Sequence, residues 1–212
     1  MNTDLARIVL SIAVIVFSLV LHELAHATVA LWCGDDTAKR AGRISLNPAR
    51  HLDPFGSVVL PLILAASSLG VFGYAKPVPI APRRMRSPRN HALLVALAGP
   101  AMNLLLAMSA LIALRIFTPD IKFLGWTQMG LGTKVLWLLG LTNLLLAVFN
   151  ALPLPPLDGA AILERFIPRP WTAGYLRVRQ YAMPMLLLVV LVLPGVLGHI
   201  LDPARRWWVS LL

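Results

Sequence analysis

The sequence has few charged residues and very few acidic ones. Asp, Glu, Lys and Arg make up 13% of the 212 residues, whereas 58% are hydrophobic. Soluble domains are only about 45–50% apolar, so this composition excludes an ordinary soluble domain. Several apolar runs approach the ~20 residues that a membrane helix needs, and they extend from one end of the chain to the other. We therefore predict a single integral membrane domain over residues 1–212.

Cysteine is almost absent as well. Cys33 is the only one, which excludes an internal disulfide and leaves no second sulfur for a metal site. The excess of 19 Lys and Arg over 9 Asp and Glu gives a net charge of +10. These cations lie in short connections between apolar stretches, where membrane topology explains them, so we expect the lipid bilayer and no nucleic acid as a partner.

The apolar segments lie at about 5–33, 52–73, 91–117, 133–152 and 178–200. They predict an all-α integral membrane protein, a helical bundle of about four to six membrane segments. Glycines and prolines interrupt 52–73, which fits a re-entrant segment at least as well as a crossing. Alternation over 39–46 predicts a short β element after the first helix. The tail, 202–212, pairs arginines with tryptophans, which predicts an interfacial anchor.

The segment HELAH, residues 22–26, matches the pattern H-E-x-x-H inside the first apolar segment. On a helix, His22 and His26 project from one face at a spacing that lets both imidazoles reach one Zn²⁺. Glu23 then lies beside the metal's water, whose pKa zinc lowers toward ~7, and its carboxylate can act as general base. The chemistry indicated is amide hydrolysis.

Two other interpretations of this cluster stay open. Ionisable residues in a membrane helix cost several kcal/mol to bury and are retained for function or mutual pairing. The histidines could therefore pair with a carboxylate in a structural or partner-binding membrane protein. They could also bind or move metal without proteolysis, although metal carriage does not require a glutamate in the position of a base.

A hydrolytic zinc site has three protein ligands and one open position, so a third ligand is needed. Among the few acidic residues, Asp53 and Asp158 adjoin membrane segments in a polar context. Asp158 is the stronger candidate, because prolines at 153, 155 and 156 end a membrane helix just before it. Irregular chain at that depth usually lines a cavity.

HELAH in an apolar helix, followed far downstream by Asn-x-x-Pro-x-x-Pro-Leu-Asp-Gly at 150–159, resembles the site-2 proteases. These are intramembrane zinc metalloproteases that cleave membrane-embedded substrates. The resemblance extends to segments at 34–39, 42–48, 51–56, 75–79 and 98–103, which look like the compact bacterial and archaeal subgroup without a PDZ or CBS domain. It implies one Zn²⁺ per chain held by His22, His26 and Asp158, with Glu23 as catalytic residue and Asn150 near the bound substrate.

Three further residues keep alternative roles. Asn103 follows Gly99-Pro100 in mid-helix and either caps a backbone group freed by the proline or points into the active cavity as a substrate-binding residue. His51 and Asp53 either make local hydrogen bonds in a surface loop or have an accessory part in the site.

Topology provides a test. If 52–73 is re-entrant, the helix at 133–152 delivers Asp158 to the membrane side where the helix of His22 ends. That side then holds thirteen of the 19 Lys and Arg: Lys39, Arg40, Arg43, Arg50, Lys76, Arg83, Arg84, Arg86, Arg89, Arg165, Arg169, Arg177 and Arg179. A full crossing divides the cations almost evenly. The positive-inside tendency thus favours the re-entrant arrangement, with the active site toward the cytoplasmic side of a bacterial or archaeal cell membrane.

Overall fold

The computed structural model describes residues 2–59, 62, 76–192 and 194–212. Within them the chain is mostly helical. The helices are α1 (Asn2–Trp32), α2 (Thr37–Arg40), α3 (Pro88–Phe117), α4 (Leu131–Asn150), α5 (Ala160–Phe166), α6 (Thr172–Arg179), α7 (Ala182–Val192) and α8 (Pro194–Leu211). Short 3₁₀ turns occur at Pro48–Arg50, Pro82–Arg84, Ile121–Phe123 and Arg169–Trp171, and a π-helical turn at Pro54–Val59.

Three helices in the described part of the chain, α1, α3 and α4, are long and apolar enough to cross a membrane. They confirm the predicted membrane helices at 5–33, 91–117 and 133–152. Among the described residues, the predicted span at 178–200 includes the end of α6, the whole of α7 and the start of α8, with a turn at residues 180 and 181 between α6 and α7.

The β element predicted at 39–46 is wrong, and the described residues contain no sheet. Residues 37–40 form α2, where Asp36 and Arg40 pair one helical turn apart, at 2.6 Å between Oδ2 and Nη2. Gly42 then reverses the chain at a φ of +65°. The alternation of polar and apolar residues did not indicate a strand, because Arg43 turns inward and its Nη2 donates to the carbonyls of Lys76 and Pro77.

The predicted re-entrant segment, 52–73, lies for the most part outside the described residues. The chain on either side of it is described. Lys76 N donates to His51 O at 2.8 Å, and Arg86 N donates to Cys33 O at 3.1 Å. Residues 51 and 76, on the two sides of the undescribed stretch, are therefore joined to each other, and residue 86 is joined to the end of α1.

The long helices pack with α3 antiparallel to α1 and α4. A buried hydrogen bond of 2.8 Å from Asn143 Nδ2 to Ser18 Oγ joins α4 to α1. The tail is more than an interfacial anchor, because Trp208 is 1% exposed and packs against Gly140 of α4. A Cβ at position 140 would lie 2.0 Å from the indole ring, so only glycine admits it. Trp207, by contrast, is exposed.

Candidate metal centre

The two histidines of the HELAH segment lie on one face of α1, a turn apart. Each is 5% exposed, and their Nε2 atoms are 3.0 Å from each other. The four-residue spacing on a helix brings the rings together in this way.

Asp158 reaches the histidines from a loop that folds back over the end of α4. Gly159 N donates to Asn150 O at 2.7 Å, and a Cβ at position 159 would lie 2.3 Å from Ala151 O, so this close approach requires glycine. The carboxylate then lies with Oδ2 3.1 Å from His22 Nε2 and Oδ1 3.4 Å from His26 Nε2. The structure thus brings together the three predicted ligands.

Helix α3 supports the outer nitrogens of both rings. His26 Nδ1 lies 2.6 Å from Val95 O, and His22 Nδ1 lies 3.1 Å from Asn103 Nδ2. A carbonyl only accepts hydrogen bonds, so Nδ1 of His26 carries a proton, and Nε2, which faces Asp158, is the ring nitrogen that a metal would use.

Gly99 lies between these two contacts. A Cβ there would lie 2.4 Å from His22 Cε1 and 2.5 Å from Nε2 of each histidine. The backbone of α3 therefore closes one side of the cluster, and the glycine keeps the space between the rings free.

The cluster fits a zinc ion. Donor atoms from His22, His26 and Asp158 all lie within 4.8 Å of one another. Tetrahedral zinc with bonds of about 2.0–2.1 Å holds its ligand atoms about 3.3 Å apart. His22 Nε2 lies close to that separation from two of the atoms, at 3.0 Å from His26 Nε2 and 3.1 Å from Asp158 Oδ2. The second carboxylate oxygen, Oδ1, lies 3.4 Å from His26 Nε2. Asp158 Oδ2 is buried and accepts no hydrogen bond from the described residues, as expected of an oxygen that binds a metal ion.

Glu23 follows His22 directly and is held by a segment far from it in sequence. Its Oε2 accepts the backbone N–H of Val78 at 2.9 Å. Prolines at 77 and 79 have no N–H, so Val78 provides the only backbone donor within this tripeptide. One carboxylate oxygen is thereby fixed on the protein.

Asp35 anchors the other end of the segment that holds Glu23. It is fully buried and accepts Thr37 N at 3.0 Å, Thr37 Oγ1 at 2.5 Å and Ala81 N at 2.6 Å. Burial opposes its ionisation, but the hydrogen bonds from Thr37 and Ala81 outweigh this and lower the pKa of its carboxyl below the usual value. The anchor thus depends on a carboxylate.

Two cavities meet at the cluster. One, of about 370 Å³, is walled by apolar side chains of α1, α4, α7 and α8, among them Leu19, Leu145 and Leu186. The other, of about 410 Å³, extends past His26 toward Glu164 and Arg179. Both cavities are lined by Glu23, Pro77, Pro156, Leu157 and Asp158.

The other predicted residues lie in different surroundings. Asn150 lines the apolar cavity and donates through Nδ2 to Leu146 O. Asn103 is fully buried against His22 and lines neither cavity. His51 is buried with Nε2 2.7 Å from Ser45 O, and Asp53 accepts a hydrogen bond from Gly56 N; neither residue lines either of these two cavities.

Sequence reasoning missed several residues that shape the site. Gly99 stood out only as part of a short segment shared with a family, and Arg43 was assigned to a strand. Val95 and Val78 act through backbone atoms, which carry no signal in side-chain chemistry. A glycine directly before a proline in mid-helix is the one signal that could have drawn attention to α3.

Helices of membrane length around two histidines, a carboxylate and an adjacent glutamate are the features of a membrane zinc metalloprotease. The chain belongs to the site-2 protease family: the family model, described as Peptidase family M50, matches residues 10–124 and 125–193.

Curated relatives of the chain are also named as zinc metalloproteases. A Bacillus subtilis protein named "Putative zinc metalloprotease YwhC" is 41% identical over 182 residues, 85% of this chain and 78% of the relative. "Putative zinc metalloprotease Rip2" of Mycobacterium tuberculosis is 38% identical over 176 residues, 82% of this chain and 63% of its own length. "Zinc metalloprotease MJ0392" of Methanocaldococcus jannaschii is 27% identical over 182 residues, 86% of this chain and 40% of its own. No solved structure matches the chain.

Proposed function

We propose that this protein hydrolyses peptide bonds in or near transmembrane segments of membrane-protein substrates. One Zn²⁺ is held by His22, His26 and Asp158, and Glu23 is the general base. The observation that carries the proposal is the convergence of two buried histidines and the half-buried Asp158, at separations suited to one ion, between helices of membrane length.

When bound, zinc supplies a Lewis acid that polarises the scissile carbonyl and acidifies water. Glu23 takes the proton from the attacking water and delivers it to the leaving amine. Its Oε2 stays on Val78 N–H, which leaves Oε1 for proton transfer. Asp158 and the two histidines keep their donor atoms directed at one point, since the Gly159 fold and α3 fix their positions.

The apolar cavity is the proposed place for the substrate. A helix hides its carbonyls in its own hydrogen bonds, so a substrate helix must unwind before attack. Leucine side chains on the cavity wall cover the apolar residues of the unwound segment, and Glu23 and Asp158 line the same cavity. Asn150 on the same wall is placed to hydrogen-bond the substrate backbone.

We assign the protein to a bacterial or archaeal cell membrane, with the zinc site toward the cytoplasm. The cationic loop that contains Arg84 lies at the carboxyl end of α1, where Arg84 pairs with Asp36, and the positive-inside tendency places such loops in the cytoplasm. Single cysteines at Met1 and near Arg84, in a chain with Cys33 replaced by alanine, test this by labelling from either side. Labelling of both from the same face contradicts it.

Cleavage of a model membrane peptide in liposomes tests the activity. We expect the wild type to release fragments and Glu23→Gln to release at least ~10²-fold fewer, because general base catalysis contributes at least that much. Both proteins should bind one zinc per chain. A wild type that binds zinc without cleaving any membrane peptide supports metal carriage, and one that binds no zinc supports a structural His-Asp cluster; either result overturns the proposal.

A further inference from the structure

Asn103 lies beside the zinc cluster without facing either cavity. It is 0% exposed, and its Nδ2 is 3.1 Å from His22 Nδ1, the nitrogen that points away from Asp158. Its Oδ1 is buried and has no hydrogen-bond partner among the described residues. A buried amide oxygen without a donor costs roughly 1–3 kcal/mol, so this oxygen is available to accept a proton from a neighbouring group.

The identity of the atom facing His22 decides which ring nitrogen is free. An N–H donated to Nδ1 leaves the ring proton on Nε2, where it opposes a metal ion. If the amide turns by 180°, Oδ1 takes the place of Nδ2 and accepts a proton from Nδ1. The oxygen then accepts the Nδ1 proton, the amide nitrogen takes the former place of the oxygen, and the Nε2 lone pair of His22 is free to bind the metal.

The neighbouring histidine already has this arrangement. Val95 O accepts from Nδ1 of His26 and directs its Nε2 inward. Val95, Gly99 and Asn103 follow each other at four-residue spacing and so share one face of α3. With the amide turned in this way, one oxygen would lie on each side of the glycine, one for each imidazole.

We infer that Asn103 is a positioning residue for the metal centre, whose amide oxygen accepts the Nδ1 proton of His22 and fixes the tautomer and ring orientation that zinc requires. The inference rests on the proposed function, since it needs His22 to be a zinc ligand. It differs from the substrate-binding role that the sequence allowed for Asn103, because the side chain acts through His22.

Zinc affinity of the full-length protein in detergent, measured by competition with a chromophoric chelator, tests the inference. Asn103→Leu keeps the size of the side chain and removes the acceptor, and we expect it to bind zinc about 10–100-fold more weakly. Asn103→Asp supplies a carboxylate acceptor, and we expect it to bind zinc as tightly as the wild type. ¹⁵N spectra of the histidine rings should show a protonated Nδ1 on His22 in the wild type and Asn103→Asp.

Asn143→Leu is the matched control. Asn143 is also a fully buried asparagine between membrane helices, but it donates to Ser18 and Leu139 and touches neither histidine. We expect it to lower the melting temperature without changing zinc affinity. If Asn103→Leu does not fold, weak zinc binding by Asn103→Asp still overturns the inference.

Other outcomes are equally decisive. Wild-type zinc affinity in Asn103→Leu, with only KM for a membrane peptide raised, would show that Asn103 binds substrate. An equal loss of zinc in the asparagine 143 control would reduce the effect to general destabilisation. A wild type that binds no zinc would refute the proposed function itself and is distinguishable from both.

Discussion

Gly99→Ala should abolish zinc binding although it adds a single methyl group. The new Cβ would lie 2.4 Å from His22 Cε1 and 2.5 Å from His26 Nε2, whereas such atoms approach comfortably only to about 3.5 Å. Both rings would have to retreat by about 1 Å. The two rings are held in place, because His26 is hydrogen-bonded to Val95 O and both histidines are buried.

The expected magnitude follows from that displacement. Zinc sites tolerate deviations of about 0.2 Å in ligand distance, and a misplacement of about 1 Å costs on the order of 10²-fold in catalytic rate. Elsewhere in a helix, glycine to alanine stabilises by roughly 0.5–1 kcal/mol, so the helix propensity opposes the predicted loss. We expect less than a tenth of wild-type zinc per chain after equilibration against a chelator, measured by mass spectrometry of the metal.

Two further glycines provide controls. Gly132 in α4 has no atom within 4 Å of the place where a Cβ would lie, so Gly132→Ala should keep its zinc and should not lower the melting temperature. Gly140→Ala would press on Trp208 at 2.0 Å, and should lower the melting temperature while zinc is retained. Full zinc occupancy in Gly99→Ala would refute the idea that contact with α3 shapes the site.

Three other predictions, which use four substitutions, concern separate parts of the protein. Val78→Pro removes the backbone N–H that donates to Glu23 Oε2. A hydrogen bond to a charged group is worth about 1.5–3 kcal/mol, so kcat should fall roughly 10–100-fold while zinc is retained. An unchanged kcat would contradict a role for Val78 in holding Glu23. Asp158→Asn should weaken zinc binding, measured by competition with a chelator, whereas Asp53→Asn should not. The opposite result would identify Asp53 as the third ligand. The lowered pKa of Asp35 stabilises the fold above its unfolded pKa, near 3.8, and this contribution is lost as pH falls through the lower folded pKa. The wild-type melting temperature should therefore drop below about pH 4 more steeply than that of Asp35→Asn, and parallel curves would exclude Asp35 as the cause.

The sequence predicts what depends on local spacing and on the cost of burial. His22 and His26 share a helix face because they are four residues apart, and proline-rich chain ahead of Asp158 marks an irregular, cavity-lining loop. The prediction of a strand at 39–46 was wrong because an alternation of polar and apolar residues cannot distinguish a strand from a turn whose arginine donates to distant carbonyls. The sequence did not predict the burial of Trp208, because its indole ring occupies the space left by the missing Cβ of Gly140, which lies in another helix.

Helix α3 shows why the ligand pattern is only part of the site. In the described structure its Val95–Asn103 face contributes none of the three candidate ligand atoms, yet it contacts both ligand histidines at their outer nitrogens and through Gly99. In a membrane interior there is little water to satisfy an unpaired Nδ1 proton, so each imidazole needs an acceptor from the protein. Val95 O provides one acceptor and the Asn103 amide the other. A chain with HELAH and Asp158 but without this face of α3 should therefore have all three ligands and still bind zinc poorly.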